Sequence, residues 1–492
     1  MPFVNFFTKN RVFFLAKYKK AHEADKSCFF SFFLYTTLPY MHSSFLPSQS
    51  LSAYRYCVVT LGCQMNKNDS ERLESVLKGM GFSGTEDPKD ADVIVLNSCS
   101  VRKSAEDRIF GLSREFARLK KTKPELLICV TGCMPGRDRD GSLRKKLPHV
   151  DLFFSTKDMI LLPQRLSELN PAFRPMDNMA ADYLALRPSY QKTFQAFVTI
   201  QTGCNHFCTY CVVPFSRGME VNRPLKDIIH EVEALSTRGC IEITLLGQIV
   251  NHYRAPDPHY FSSNNPYHHN DFAKLLWEVG RISGIQRVHW TAPHPLYMDE
   301  EVIDALGLPN QVQYLHLPVQ SGNDEILKRM NRRHTRAFYL DTINNIRIAY
   351  PRIAIGTDII VGFSGETDAQ FYDTVTLYRA CDFDISYTAQ YSERSHTVAA
   401  KAFSDSVSKE EKKRRWETLQ TMMEQTVLKK NQAYVGQTVS VLVDQHAHGF
   451  CLGNSSEMKR VRFHGEASQV GTIQPVEIFQ AEEWILHGRQ KK

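Results

Sequence analysis

From about Tyr54 to Gln390 the sequence alternates short β-branched, apolar runs with longer stretches whose apolar residues recur every three or four positions. That alternation commits a chain to α/β architecture, because each strand reaches its parallel neighbour through a crossover helix that covers the sheet. A first series predicts strands at 56–61, 91–96, 126–130 and 150–154, with helices at 69–80 and 104–120. Leu73, Val76, Leu77 and Met80 line one face of the earlier helix, Asp69 or Ser70 caps its start, and Gly81 ends it. The implied fold class is α/β, opening with an N-terminal doubly wound parallel sheet.

Residues 171–190, punctuated by Pro171, Pro175 and Pro188, read as a linker. A second series places strands at 196–200, 242–246, 287–291, 313–316, 354–360 and 385–390, and helices at 225–236, 272–282 and 371–379. Six βα units predict a central partial or full (β/α) barrel, whose chemistry belongs at the strand C-terminal ends. Residues 408–434 form one long charged helix. Strands at 438–443, 460–463 and 475–478 then predict a small C-terminal β-barrel. The expected domains are 53–170, 190–430 and 431–492, consistent with the about three domains that 492 residues allow.

The first fifty residues stand apart. They carry Lys9, Arg11, Lys17, Lys19, Lys20 and Lys26 against Glu23 and Asp25, hence +4 of the chain's net +7. The remainder is only weakly basic, so net charge alone does not argue for nucleic acid. Charges break the apolar pattern that a secretory signal needs, and residues 28–40 are too few to span a bilayer. Residues 1–52 are expected to be a disordered extension or an over-called start, with Met41 as the alternative start; a weak membrane-surface anchor is the competing reading. Twelve cysteines are too sparse for a disulfide scaffold and point to a reducing, cytoplasmic compartment, where cysteine patterns signal metal or catalytic sites.

Three cysteines, Cys204, Cys208 and Cys211, occupy the C-x3-C-x2-C run that follows the first strand of the second series. Thiolates are the usual ligands of a [4Fe–4S] cluster, and three of them leave one iron open for a small molecule. Zinc with His206 as fourth ligand is the competing reading, but zinc sites more often show paired C-x2-C arms. Three further cysteines, Cys63, Cys99 and Cys133, each follow a strand of the first series. Ligands bind outside the carboxyl ends of strands in an open parallel sheet, so three loops can gather three thiolates there. Cys57, Cys129 and Cys240 fit ordinary buried cysteines, and Cys28, Cys381 and Cys451 carry no pattern. His259, His268 and His269 could bind metal, but residues 255–270 read as a polar surface loop.

The Cys204–Cys211 run resembles that of radical S-adenosylmethionine (SAM) enzymes. Gly62-Cys63-Gln64-Met65-Asn66, Asn97-Ser98-Cys99-Ser100-Val101-Arg102 and Gly132-Cys133 resemble the methylthiotransferase branch. Within that branch the chain is most similar to the tRNA-2-methylthio-N(6)-dimethylallyladenosine synthase (MiaB) family. Cys208 to Pro214 with Arg217-Gly218, Leu317 to Gly322, Met330-Asn331-Arg332-Arg333, Val361-Gly362-Phe363 and Gly365-Glu366-Thr367 extend the likeness, which runs from about Tyr54 to Arg489.

The resemblance implies two [4Fe–4S] clusters. One, on Cys204, Cys208 and Cys211, would bind SAM at its open iron and yield a 5′-deoxyadenosyl radical that takes hydrogen from carbon 2 of an adenine. The other, on Cys63, Cys99 and Cys133, would hold the sulfur of the methylthio group, and a second SAM would supply the methyl. The implied substrate is prenylated adenosine next to the anticodon of tRNA. A reductant such as flavodoxin or ferredoxin and a sulfur source are the implied partners, and a monomer with no membrane association is expected. Glu220, Gln248, Gln320, Ser321 and Asp358 are candidate SAM contacts. The terminal barrel resembles a TRAM domain, with Lys459, Arg460 and Arg462 as candidate phosphate contacts.

The chain departs from the family pattern at Ile249, Ser364, Ser395-His396 and Pro135-Gly136, none of which is a cluster ligand. The competing functions are methylthiotransfer to a ribosomal protein or to threonylcarbamoyl-adenosine in tRNA, and a non-catalytic RNA-binding protein with structural clusters.

Overall fold

The computed structural model describes residues 54–100, 103–174 and 180–491. The N-terminal extension with Cys28 and Met41, the motif residues Val101 and Arg102, and Pro175 lie outside the described residues.

Five parallel strands form the first sheet, in the order Ser83–Gly84, Arg55–Thr60, Val93–Ser98, Leu127–Gly132, Leu152–Phe153. Successive residues serve opposite faces. Val93 and Val95 pack with Leu73, Val76 and Leu77 of one helix, whereas Ile94 and Leu96 pack with Ile109 and Phe116 of the next. Each fully buried aliphatic side chain contributes about 1.5–3 kcal/mol. Two covered faces explain why these strands read as near-continuous apolar runs.

The first helix spans Gln64–Gly79, starting five residues before its predicted start, and neither Asp69 nor Ser70 caps it. Cys63 occupies the cap position, and the Asn66 side chain accepts a hydrogen bond from the Cys63 backbone N–H at 3.2 Å. Asn66 and Asn68 are buried to bind neighbouring loops, so the first turn lacks the apolar periodicity by which a helix is read. Asp69 is buried in mid-helix. Gly81 does end the helix, with φ +86° and its N–H bonded to the Lys78 carbonyl.

The stretch read as a linker is docked rather than passive. Tyr183 and Leu186 are buried, and Arg72 donates to the Leu186 carbonyl. Prolines mark where regular structure stops, and carry no signal about what the segment packs against.

The central unit has two parallel sheets of three strands. Gln195–Thr199, Glu242–Leu246 and Arg287–Trp290 form one, and Tyr314–His316, Ala354–Val361 and Ile385–Gln390 the other. A parallel bridge from Val288 to Gln311 joins them into a six-stranded curved wall. Among the described residues no pairing closes the last strand onto the first, so the barrel is partial. Helix Lys409–Gln432 lies against Ile385–Gln390, with Leu419, Met423 and Val427 in the core and Trp416 donating to the Thr388 carbonyl at 3.0 Å.

The last unit is a closed five-stranded barrel, in the order Thr438–Ala447, Phe450–Ser455, Arg460–His464, Leu486–Gln490, Ile473–Ala481. Phe450–Ser455 and Leu486–Gln490 escaped prediction because Gly453 and Gly488 interrupt them and read as breaks. Arg287 fastens the barrel to the central sheet by donating to the Asn454 and Ser455 carbonyls at 2.9 and 3.0 Å.

The first and central units also meet where the short helices Cys133–Arg137 and Val213–Arg217 pack together. A Cβ on Gly136 would lie 2.1 Å from the Ser216 carbonyl oxygen, so only glycine allows the approach. Gly136→Ala is therefore expected to cost about 1–3 kcal/mol. Scanning calorimetry should show a lowered Tm; an unchanged Tm would contradict the close packing.

Candidate active site

Hydrogen bonds between three strand-end loops hold the first cysteine set. Asn66 donates to the Asn97 side chain at 3.1 Å and to the Ser98 carbonyl at 3.2 Å, and Asn97 returns a bond to the Asn66 carbonyl at 2.8 Å. Ser98 donates to the Thr131 carbonyl at 2.5 Å and accepts from the Met134 N–H at 3.2 Å. The loops of Cys63, Cys99 and Cys133 are thereby tied edge to edge. A Cβ on Gly62 would lie 2.9 Å from that of Cys99. All three cysteines are buried.

The second set lies on the loop after Gln195–Thr199, framed by the antiparallel pair Gln201–Thr202 and Val221–Asn222. Residues 329–331 clamp it. Thr209 bonds the Met330 and Arg329 carbonyls at 3.0 and 2.8 Å, and the Asn331 amide donates to the His206 and Phe207 carbonyls at 2.9 and 3.2 Å. Each sulfur receives a donor. The His206 N–H points to Cys204 Sγ at 3.4 Å, the Val213 N–H to Cys211 Sγ at 3.4 Å, and Arg332 to Cys208 Sγ at 3.7 Å. Donors of this kind are what tune a thiolate-held cluster.

Burial pushes the Cys204 thiol up to about 11 and raises those of Cys211 and Cys133 as well. A metal supplies the countercharge that deprotonates such a thiol. Among the described residues no three His, Cys, Asp or Glu side chains converge closely enough for a single ion. His206 Nε2 bonds the Tyr297 hydroxyl at 2.7 Å. Burial and the Arg332 charge keep its pKa down at about 4, and its ring lies 4.6 Å from that of His294.

The first set borders the strand ends of the central barrel through Cys63. Cys63, Gln64 and Met65 face Leu246, Gly247, Gln248, Thr291 and Ala292 across a small cleft of about 40 Å³. Ile249, the next residue along, packs against Cys204 and Val213. One strand end of the central barrel thus runs from the first cysteine set to the second.

The other candidates divide. Gln248 lines the cleft. The Glu220 carboxylate holds His252 Nδ1 at 2.9 Å, and His252 stacks on Tyr297, 4.3 Å between centroids, beside the Cys204 loop. Asp358 pairs with His316 at 3.2 Å. Gln320 adopts φ +73° and bridges to Ile359. Ser321 is buried, and its hydroxyl serves the turn to Asn323 and Thr374.

The three RNA candidates differ in their surroundings. Lys459 is largely covered by the central unit, 3.6 Å from Asp384, and Arg460 pairs with Asp444 at 2.6 Å on the outer face of its barrel strand, opposite the core residues Val461 and Phe463. A lysine three residues from a strand centre reads as surface until the docking of the barrel is known. Arg462 remains open to a partner, stacked 3.8 Å over the Phe450 ring, which itself lies 4.0 Å from His464. Phe450 was missed because its strand was missed. Cys57, Cys129, Cys240, Cys381 and Cys451 are buried and unpaired by disulfides. His259, His268 and His269 lie exposed on the 255–270 loop.

Arg217 joins the two halves. Its guanidinium bonds Asp69 at 2.5 and 3.3 Å with both side chains buried, and also reaches the Cys133 thiol. Tyr183 donates to the same carboxylate at 2.5 Å. Burial opposes the Arg217 charge, but Asp69, Cys133 and Tyr183 together raise its pKa well above the ordinary value.

The family model described as Uncharacterized protein family UPF0004 matches residues 55–155, and that of the Radical SAM superfamily matches residues 198–378. A solved structure of a radical S-adenosylmethionine methyltransferase, TsrM, from Kitasatospora setae superposes with TM-score 0.52 at 12% identity, covering 81% of this chain and 77% of that one. That likeness bears on fold alone. The barrel, the family match and the three-cysteine loop define a radical SAM enzyme, whose cofactors are SAM and a [4Fe–4S] cluster.

The tRNA-2-methylthio-N(6)-dimethylallyladenosine synthase of Geobacillus thermodenitrificans (strain NG80-2) is 39% identical over 449 residues, 88% of this chain and 83% of the relative. The protein of that name from Clostridium botulinum (strain Hall) is 36% identical over 447 residues, 88% of this chain and 96% of the relative. The chain belongs to this synthase family.

Breaking a buried ion pair from one side strands the other charge and typically costs about 3–5 kcal/mol. Asp69→Ala is expected to lose that much in denaturant unfolding, and adding Arg217→Met should recover most of it. Equal loss in the single and double variants would contradict the pairing.

Proposed function

We propose that the chain is a radical SAM methylthiotransferase that adds a methylthio group to carbon 2 of N(6)-dimethylallyladenosine next to the anticodon of tRNA. The observation that carries the reading is the one barrel strand end that packs on Cys63 through Leu246 and on Cys204 through Ile249, in a chain of the synthase family. Cys204, Cys208 and Cys211 hold one [4Fe–4S] cluster, and Cys63, Cys99 and Cys133 hold a second. When bound, the first cluster with SAM supplies a 5′-deoxyadenosyl radical and the second supplies the sulfur.

The remaining work falls to this chain's own side chains. N–H groups of His206 and Val213 and the Arg332 guanidinium fix the three sulfurs. Met65, Leu246 and Ala292 give the cleft apolar walls, which exclude water from a site where stray groups would quench a radical. Gln248 offers an amide within it, and Glu220 and Asp358 offer carboxylates near the barrel strand ends for the amino and ribose groups of SAM. Unpaired anticodon-loop bases are readily splayed into such a cleft. Arg462 with Phe450 provides a cation and a stacking face for RNA on the terminal barrel.

The division into a methylthiotransferase domain at 53–170, a radical SAM domain at 190–430 and an RNA-binding domain at 431–492 follows from this reading. So do a reductant of the flavodoxin or ferredoxin type, a sulfur source, a monomeric state and a cytoplasmic location. Among the described residues no helix is long and apolar enough to cross a membrane.

Two measurements test the reading. Nucleoside mass spectrometry after gene deletion should show the methylthio-prenyl adenosine replaced by its prenyl precursor; persistence of the methylthio nucleoside would rule out this substrate. Anaerobic reduction with SAM should yield 5′-deoxyadenosine, and Cys208→Ala should abolish it. A fully clustered protein that forms none would support the structural-cluster alternative.

A further inference from the structure

Cations follow the seam that joins the terminal barrel, the central unit and the first helix. On the barrel, Arg462 lies 3.8 Å over the Phe450 ring, and Arg460 shares the same outer face two residues earlier. Asp444, the partner of Arg460 at 2.6 Å, adjoins Val443, whose carbonyl accepts the Gly471 N–H at 2.9 Å. Gly471 abuts Phe194 of the central unit, where an added Cβ would lie 2.9 Å from the ring. Lys192 lies 5.3 Å over that ring and donates to the Gln195 side chain at 3.1 Å. Gln195 opens the strand Gln195–Thr199, whose other end meets the first helix. There Asn68 donates to the Phe197 carbonyl at 3.0 Å and accepts from Thr199 at 2.8 Å. Lys67 is the exposed residue beside Asn68, and its N–H bonds the Cys63 carbonyl at 3.1 Å.

Lys67 and Lys192 are exposed and Arg462 is half-buried. Among the described residues none of the three is ion-paired to a carboxylate. The carboxylates on the seam are already answered, Asp444 by Arg460 and Glu242 by Arg287 at 2.7 Å. A ring beneath an ammonium or guanidinium steadies a long side chain without neutralising it, which leaves its charge for an anion. The four steps from Gln195 to Thr199 cover about 13 Å, so the line of cations runs without a gap from the barrel to the wall of the Cys63 cleft. We propose that Arg462, Lys192 and Lys67 form one phosphate-binding track, which leads the single-stranded loop of the RNA substrate from the terminal barrel to that cleft. A backbone with one charge per nucleotide matches cations in a row, and contacts to phosphate fix register without reading sequence. The proposal rests on the tRNA reading above, and adds two cations outside the terminal barrel to it.

The test titrates full-length protein into a labelled anticodon stem-loop RNA that carries the prenylated adenosine, over a series of salt concentrations. Each phosphate contact to a single strand contributes about 0.7 to the slope of log affinity against log salt. Lys67→Gln and Lys192→Gln are each expected to weaken binding about three- to fivefold near physiological salt and to reduce the slope by about 0.7, and the double variant by about 1.4. Lys192→Arg keeps the charge and should keep the parent slope, which separates lost charge from lost folding. Arg281→Gln removes another cation held over a ring, 4.3 Å from Trp277 at the end of helix Asp271–Gly280 and outside the track, and should change neither affinity nor slope. Parent affinity and slope in both lysine variants, or an equal loss in Arg281→Gln, overturns the track. A parent protein that does not bind the stem-loop overturns the tRNA reading, and the track with it.

Discussion

The structure turns on one buried ion pair. Asp69 sits in mid-helix in the first domain, Arg217 closes the short helix after the Cys204 loop, and both are removed from solvent. Desolvating two charges is costly, so such a pair is weak evidence of added stability. Its value here is geometric. A planar guanidinium meeting both carboxylate oxygens fixes orientation as well as distance, which a lysine would not do. Tyr183 completes the carboxylate's bonds and draws residues 180–190 onto the same helix. The pair therefore sets how the first sheet meets the barrel.

From that contact the cleft follows. Helix Gln64–Gly79 is capped by Cys63, so fixing Asp69 fixes the first thiol. Helix Val213–Arg217 begins two residues after Cys211, so fixing Arg217 fixes the second loop. Leu246 to Ile249 then spans the gap, touching Cys63 at one end and Cys204 at the other. The polar residues of each motif act as spacers: Asn66 and Asn97 lock strand-end loops together, and Asn331 and Arg332 lock the loop of the second set.

The strands of both α/β units were legible because apolar runs flanked by turn residues leave few alternatives; Glu242–Leu246 and Ile385–Gln390 match their expected bounds. The place of both cysteine sets after strands was legible too, and the structure puts Cys63, Cys99, Cys133 and the Cys204 loop at or just beyond strand ends. Less legible was whatever depends on contact between distant segments. Asp69 resembles a helix cap in sequence, and only docking against Arg217 makes it a buried partner. Lys459 resembles a surface cation, and only the seating of the barrel brings it to Asp384 of the central unit.

The central claim is that two separate clusters flank one strand end of the barrel. Iron determination on anaerobically reconstituted protein tests it most directly. Two four-iron clusters predict about eight irons per chain, and replacing Cys204, Cys208 and Cys211 with Ala should leave about half. Loss of all the iron, or of none, would contradict two independent sites.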